Sequence, residues 1–523
     1  MTSRWHSSTF PSMKIILAGL TALLMLSCPI NLHAQQAHIL KGTVTHMADK
    51  KVELLVYYGE QNRSVSSTTV NEKGLFQFPF DDESPVGMYR LRFEEGRHVD
   101  VIYNREDIEL SISKPNVQEG RYSLFDGIDV LSSSENRLYY DFLQTLDLRR
   151  KRIHHLNQLK LLYSPSKDVV KVPPDKETKG MREAGSFRGQ VETELAKLHK
   201  VFERYIDTLV DSNPNSYAAR IIKTMKIPVL DVKVSGDVLK EWQKEHFWNK
   251  VDLSDATLLY SPVIPSKVFE YISLYADNQL SREGQEMAFI EAVDDILIKA
   301  KADDAVFRVV LDVVIRKFEK SEYEQVLTYI MENYFLYESG CKDSEALVSA
   351  DRTGELRKRV EIIKIMAVGN TAPEIEIPQQ GIFDPNVAEG TVVPASSTQM
   401  KLSNIIAENT LVLFWASWCP HCTVLLSELR SVYRGYRDKG LEILAISIDE
   451  ERISWQSAIS ERQYTWINYS ELTGWEGKAA QDYGVWSTPR MYLLDSEKKI
   501  VAKPRTIKEL VVSITQQKPA RTE

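Results

Sequence analysis

The sequence predicts three consecutive folding units: a small antiparallel β-sandwich, then an α-helical region, then a C-terminal α/β domain. Short apolar runs between turn-rich pieces fill the first part, apolar residues at helical spacing fill the middle, and strand-like and helix-like segments alternate at the end. The chain has 523 residues, which exceeds one ordinary domain, and its 43% hydrophobic content can fill several cores. A formal net charge of -8 with no basic block argues against nucleic acid as a partner.

Residues 1–34 read as a secretory signal, which implies a periplasmic or cell-envelope location. Lys14 precedes an apolar run from Ile15 to Leu26, short for a membrane span, and Leu32, His33 and Ala34 form a small-residue cleavage site before Gln35. Leu26, Ser27 and Cys28 offer a second reading, a lipoprotein signal that would leave Cys28 acylated as a membrane tether, although Pro29 fits it poorly. No later segment is apolar for the length that a span requires. The precursor has four cysteines, so with Cys28 removed Cys341 stands alone beside Cys419 and Cys422 and no disulfide framework is expected.

The β unit is expected over residues 35–115. Its runs are Val52 to Tyr58, Ser67 to Val70, Leu75 to Phe80, Met88 to Phe93, His98 to Ile102 and Ile108 to Ile112, with turns at Asn71 to Gly74 and Asp81 to Gly87. Residues 116–366 should be helical. Leu138, Phe142, Leu146 and the run from Leu156 to Leu162 mark a long amphipathic helix, and Val191 to Val210 marks another. Pro173, Pro174 and the stretch from Gly180 to Gly189 predict a polar connector between them. Further helices are expected over Phe269 to Ile298, Val306 to Phe318, Tyr323 to Tyr337 and Leu356 to Ile365. Arg149 to Arg152 with His154 and His155 read as a solvated helix face, because adjacent histidines point to different sides. No phosphate-cradling glycine loop or hydrolase-like acid pair is evident, so this region is expected to space the C-terminal domain, dimerise it or select its partners.

The most informative residues are Trp418, Cys419, Pro420, His421 and Cys422. Leu411 to Trp415 has strand character, while Val424, Leu425, Leu429, Val432, Tyr433 and Tyr436 follow near helical spacing, so the cysteines fall at a helix start. There the unpaired N–H groups and the positive end of the dipole favour a thiolate at Cys419. Pro420 suits the first helical turn, and an imidazolium at His421 would stabilise the thiolate further. Cys419 is therefore the expected attacking sulfur and Cys422 the resolving one, cycling between dithiol and disulfide with no other cofactor. A structural disulfide would close too short a loop to stabilise much, and a zinc site would need ligands that the rest of the chain does not cluster.

Residues 367–517 resemble a thioredoxin-like domain of the TlpA/ResA type, the membrane-associated or periplasmic thiol-disulfide oxidoreductases. The resemblance rests on Val368 to Ile377, Leu402 to Ile406, Leu411 to Cys422, Leu441 to Asp449 and Tyr483 to Asp495, in that order. It implies that Pro489 is a cis-proline facing the cysteines and that Thr488 exposes its backbone to a bound polypeptide, with Trp415 and Trp418 beside the active turn. The implied partners are protein thiols or disulfides and an unidentified redox partner. Three departures stand out. Leu413 and Ala445 occupy the positions where thioredoxins bury an acid and a lysine, and Leu425 stands where ResA-type proteins carry an acid. Cys422 should then have a raised pKa and resolve slowly unless water or Glu428 takes its proton. Pro420 and His421 match the pair in the periplasmic disulfide-forming oxidase, which implies a potential more oxidising than thioredoxin's. Peroxide reduction is not expected, because Phe414 to Trp418 supply no proline ahead of Cys419. The alternatives are an envelope scaffold with a redundant thioredoxin fold, or an isomerase that dimerises through its upstream region.

Overall fold

The computed structural model describes residues 38–94, 97–113, 127–162, 174–228, 236–319, 321–335, 350–386 and 400–516; the expected signal segment, Cys28 and Cys341 lie outside them. Among the described residues no helix is long and apolar enough to cross a membrane.

Among the described residues eight strands come first: β1 (His38–Val44), β2 (Lys51–Tyr58), β3 (Gln61–Thr69), β4 (Leu75–Phe80), β5 (Gly87–Arg92), β6 (His98–Tyr103), β7 (Ile108–Ile112) and β8 (Ile128–Ser132). They form two four-stranded sheets, ordered β4-β1-β7-β8 and β3-β2-β5-β6. Strand alternation turns Phe76, Phe78 and Phe80 inward from β4. These rings share one core with Val52 and Leu54 of β2 and with Val101 and Tyr103 of β6. Phe80 stacks on Tyr103 with ring centroids 3.9 Å apart.

The expected all-antiparallel pairing needs correction, since β1 runs parallel to β7. Parallel neighbours require a crossover, and the chain supplies one by passing through the second sheet between them. The first sheet also continues past residue 115, where β8 pairs with β7. At Gly42 of β1 a Cβ would lie 2.1 Å from the Phe76 ring, so only glycine lets β4 pack there. The turn at Asn71 forms as expected, its carboxamide oxygen accepting the Lys73 and Leu75 N–H groups at 2.9 Å each.

Nine helices follow among the described residues: α1 (Ser134–Leu162), α2 (Pro174–Ser212), α3 (Tyr217–Thr224), α4 (Gly236–His246), α5 (Val263–Leu274), α6 (Arg282–Ala300), α7 (Asp304–Glu319), α8 (Glu324–Ile330) and α9 (Ala350–Ile365). The predicted connector over 180–189 is instead helical and lies within α2, because glycines cost only about 1 kcal/mol each in a helix interior. The helix expected over Phe269 to Ile298 is two helices. Asp277 accepts the Gln279 N–H at 2.9 Å and Ser281 caps α6 by accepting the Gly284 N–H at 3.1 Å, local bonds that outcompete helix propagation. His154 and His155 are exposed, in line with a solvated face. Helices α5 to α9 share a core with Tyr57, Met88 and Ile102 of the second sheet, while Phe142 and Leu146 of α1, Ile206 of α2 and Ile222 of α3 enter the core of the strands.

The C-terminal unit is an α/β domain. Its strands are β9 (Glu376–Ile377), β10 (Ile382–Phe383), β11 (Met400–Lys401), β12 (Asn409–Trp415), β13 (Leu441–Ser447), β14 (Ile467–Ser470), β15 (Arg490–Leu494) and β16 (Ile500–Ala502). Its helices are α10 (Pro420–Tyr436), α11 (Arg452–Arg462), α12 (Lys478–Asp482) and α13 (Ile507–Gln516). A six-stranded sheet runs β10-β14-β13-β12-β15-β16, with β12 parallel to β13 and antiparallel to β15. Residues 411–414 of β12 are fully buried, as expected for a central strand covered on both faces. That burial holds the end of β12, and the turn after it, in one place.

Candidate active site

Cys419 follows β12 by a four-residue step and is the N-cap of α10, with Pro420 in the first turn. The Cys422 N–H, one of the donors that a helix start leaves unpaired, donates to Cys419 Sγ at 3.2 Å. The two thiols are unbonded to each other. Cys419 is 5% exposed and Cys422 only 1%, so the first sulfur sits at the rim and the second beneath it. Burial, and then the neighbouring Cys419 sulfur, push the Cys422 thiol up to about 12.

Opposite the turn, the Thr488–Pro489 peptide bond is cis. Cys419 Sγ lies 3.5 Å from the Thr488 carbonyl oxygen, which accepts its hydrogen bond. The structure thus gathers Cys419, Pro420, Thr488 and Pro489 around one rim, with Cys422 beneath it. His421 is on the exposed side of α10. Trp418 is 59% exposed, with its ring 6.5 Å from Trp475 and edge-on to it. Trp415 instead belongs to the core, edge-on to Tyr464 at 5.7 Å.

Leu413 and Ala445 are register partners on β12 and β13, both fully buried among apolar residues. The layer beneath the cysteines therefore carries neither of the two proton-handling groups that thioredoxins place there. Glu428 is exposed on α10, the environment of a solvated helix residue.

One carboxylate at the site escaped the sequence reading. Asp449, 1% exposed just after β13, accepts the Ser417 N–H at 2.9 Å and the Ser417 hydroxyl at 2.6 Å. It also accepts the Ser447 hydroxyl at 2.5 Å. Asp449 so ties the Cys-bearing turn to the neighbouring strand. Its place at the end of the apolar run from Leu441 was the only available signal, since a polar residue there must find a partner.

The fold and this paired-cysteine turn define a thioredoxin-like redox module. Residues 368–503 match the AhpC/TSA family. The module is similar to the ResA type: over 102 residues it is 29% identical to the thiol-disulfide oxidoreductase ResA of Oceanobacillus iheyensis, covering 20% of this chain and 47% of that protein. It is 24% identical over 110 residues to ResA of Bacillus thuringiensis subsp. konkukian, covering 21% of this chain and 62% of that protein. The chain thus spans less than two thirds of either relative. Similar solved structures include a thioredoxin-like protein from Bacteroides caccae, with TM-score 0.39 and 19% identity, covering 57% of this chain and 99% of that one. Another is the thioredoxin domain of a thiol-disulfide oxidoreductase from Bacteroides vulgatus, with TM-score 0.24 and 24% identity, covering 29% of this chain and 96% of that one.

Proposed function

We propose that this protein is an exported thiol-disulfide oxidoreductase acting on protein thiols and disulfides in the periplasm or cell envelope. The observation that supports it most is the position of Cys419 Sγ, 3.2 Å from the Cys422 N–H and 3.5 Å from the Thr488 carbonyl. In this reading the Cys419 thiolate attacks one sulfur of a substrate disulfide, forming a mixed disulfide and releasing the other substrate sulfur as a thiolate. The Cys422 thiolate then attacks Cys419 Sγ and displaces the second substrate thiolate. The substrate gains two electrons and the protein holds a Cys419–Cys422 disulfide; the reverse sequence oxidises a dithiol. Trp418 and the Thr488 backbone receive the polypeptide, and Pro420 and His421 tune the couple. The two N-terminal sheets are taken as a sandwich that carries the helical and redox units. Residues 1–34 direct export, with Cys28 as the tether should it be acylated.

The test is a Cys422→Ser variant in intact cells. Proteins held on Cys419 through reducible bonds support the proposal. If none is held, and the purified wild type exchanges no disulfide, the proposal fails.

A further inference from the structure

The helical region reaches across to the segment that carries Pro489, and does so from two directions. Glu324, at the start of α8, pairs with the guanidinium of Arg490, the residue directly after Pro489. Its other oxygen accepts Lys503 Nζ at 2.9 Å. Arg490 is 7% exposed, and its Nε donates to the Tyr492 hydroxyl at 3.2 Å, which in turn donates to the Tyr483 carbonyl at 2.9 Å. From α9, the guanidinium carbon of Arg359 sits 3.8 Å from the centroid of the Trp486 ring. Beside it Ile362 packs on Gly484 so closely that a Cβ there would lie 2.7 Å from the isoleucine methyl.

The two grips bracket Thr488. Trp486 lies two residues before it and Arg490 two residues after, and both are held by side chains of the helical region. Helix α9 is itself locked in place, since Leu356, Val360 and Ile363 enter the helical core while Ile362 packs against the C-terminal core. Burial alone would raise the Glu324 carboxyl, but the charges on Arg490 and Lys503 outweigh it and hold the group below its ordinary range. The carboxylate is thus committed to the segment beside the cysteines.

We propose that the helical region is a clamp on residues 486–490, with Glu324 and Arg359 acting as positioning residues that set the Thr488 backbone for polypeptide disulfides. This rests on the exchange reading above. An extended polypeptide pairs with the Thr488 backbone, so a shifted segment weakens its binding. A small aryl disulfide needs only the Cys419 sulfur and is indifferent to that shift.

The experiment uses the full chain, reduced beforehand with dithiothreitol that is then removed, in single turnovers with two probes, 5,5'-dithiobis(2-nitrobenzoate) and a fluorogenic peptide with an internal disulfide, KM being the half-saturating probe concentration. Glu324→Gln and Arg359→Gln should each raise KM for the peptide about tenfold or more, while the rate with the aryl disulfide stays within about twofold. Glu324→Asp, which keeps the charge, should recover most of the loss. Equal losses with both probes would mark a merely structural contact and overturn the proposal, as would unchanged KM or a wild type that accepts only the aryl disulfide. Should Glu324→Gln not fold, Arg359→Gln decides by the same criterion. A wild type inactive with both probes would refute the exchange reading instead.

Discussion

The resolving step should be slow at neutral pH and climb steadily as the solution is made alkaline. Cys422 is 1% exposed and its thiol is pushed up to about 12, chiefly by burial. At pH 7 such a thiol is ionised to about one part in 10⁵, against about 3 in 100 for a free cysteine, a deficit of about 3000-fold. Greater basicity returns part of this. With nucleophilicity rising about 0.45 log units per pK unit over about 3.5 units, about 40-fold is recovered, which leaves resolution about 80-fold slower than by an ordinary thiol in the same place. Mixing the reduced protein with 5,5'-dithiobis(2-nitrobenzoate) separates the steps. Capture on Cys419 releases one coloured thiolate, and attack by Cys422 releases the second. In the mixed disulfide Cys419 carries neither proton nor charge, so its share of the upward push is lost and only the share from burial remains, which makes the 80-fold slowing an upper bound. The logarithm of the second-phase rate should rise with a slope of about one from about pH 7 to pH 10, and Cys422→Ser should abolish that phase. A plateau between about pH 8 and pH 9 would make Cys422 an ordinary thiol, and a flat profile would reveal a working proton acceptor. Either result would refute the argument from Leu413 and Ala445.

Leu425→Glu places an acid one helical turn after Cys422, where the wild-type residue is half-buried, and should speed the second phase at pH 7 by about tenfold or more; an unchanged rate would show that proton removal is not limiting. Asp449→Ala leaves the Ser417 N–H and two hydroxyls without their acceptor and should lower stability by about 2–4 kcal/mol in urea unfolding, whereas a loss below about 0.5 kcal/mol would deny Asp449 its role in holding the turn. The Glu324 carboxyl lies lower in the folded protein than in the unfolded chain, so its contribution is complete above about pH 4.3 and is lost as pH falls through the folded value. Tm should therefore drop on acidification below about pH 4.3, and less steeply in Glu324→Gln; equal slopes would remove Glu324 from the account. Ile296→Ala empties a fully buried position in the helical core and should cost about 2–5 kcal/mol, read by denaturant midpoint, with a near-neutral result showing that the core collapses around the gap.

The cysteine turn was legible because its causes are local. An apolar run, a capping thiol and a proline at the first helical position specify a strand-to-helix turn within a dozen residues, and the same short-range signals placed most of the strands of the first unit. The failures were local rules outvoted by context. Gly180 to Gly189 read as a connector, yet α2 runs through it; Asp277 and Ser281 carry turn-forming side chains that periodicity alone passed over. Strand β1 was missed because Lys41 and Gly42 break its apolar pattern, and Gly42 is there for a ring on another strand.

Residue order sufficed to single out the cysteine pair as the candidate site, to divide the chain into sheets, helices and a thioredoxin-like module, and to locate the missing acid and lysine beneath Cys422. Those properties depend on neighbours a few positions apart. Tertiary packing decided which groups surround the pair: Asp449 reaches Ser417 across 32 positions, and Glu324 reaches Arg490 across 166. No periodicity encodes such contacts, because each arises only when separate elements are brought side by side and a buried charge or hydrogen-bonding group must find its partner there.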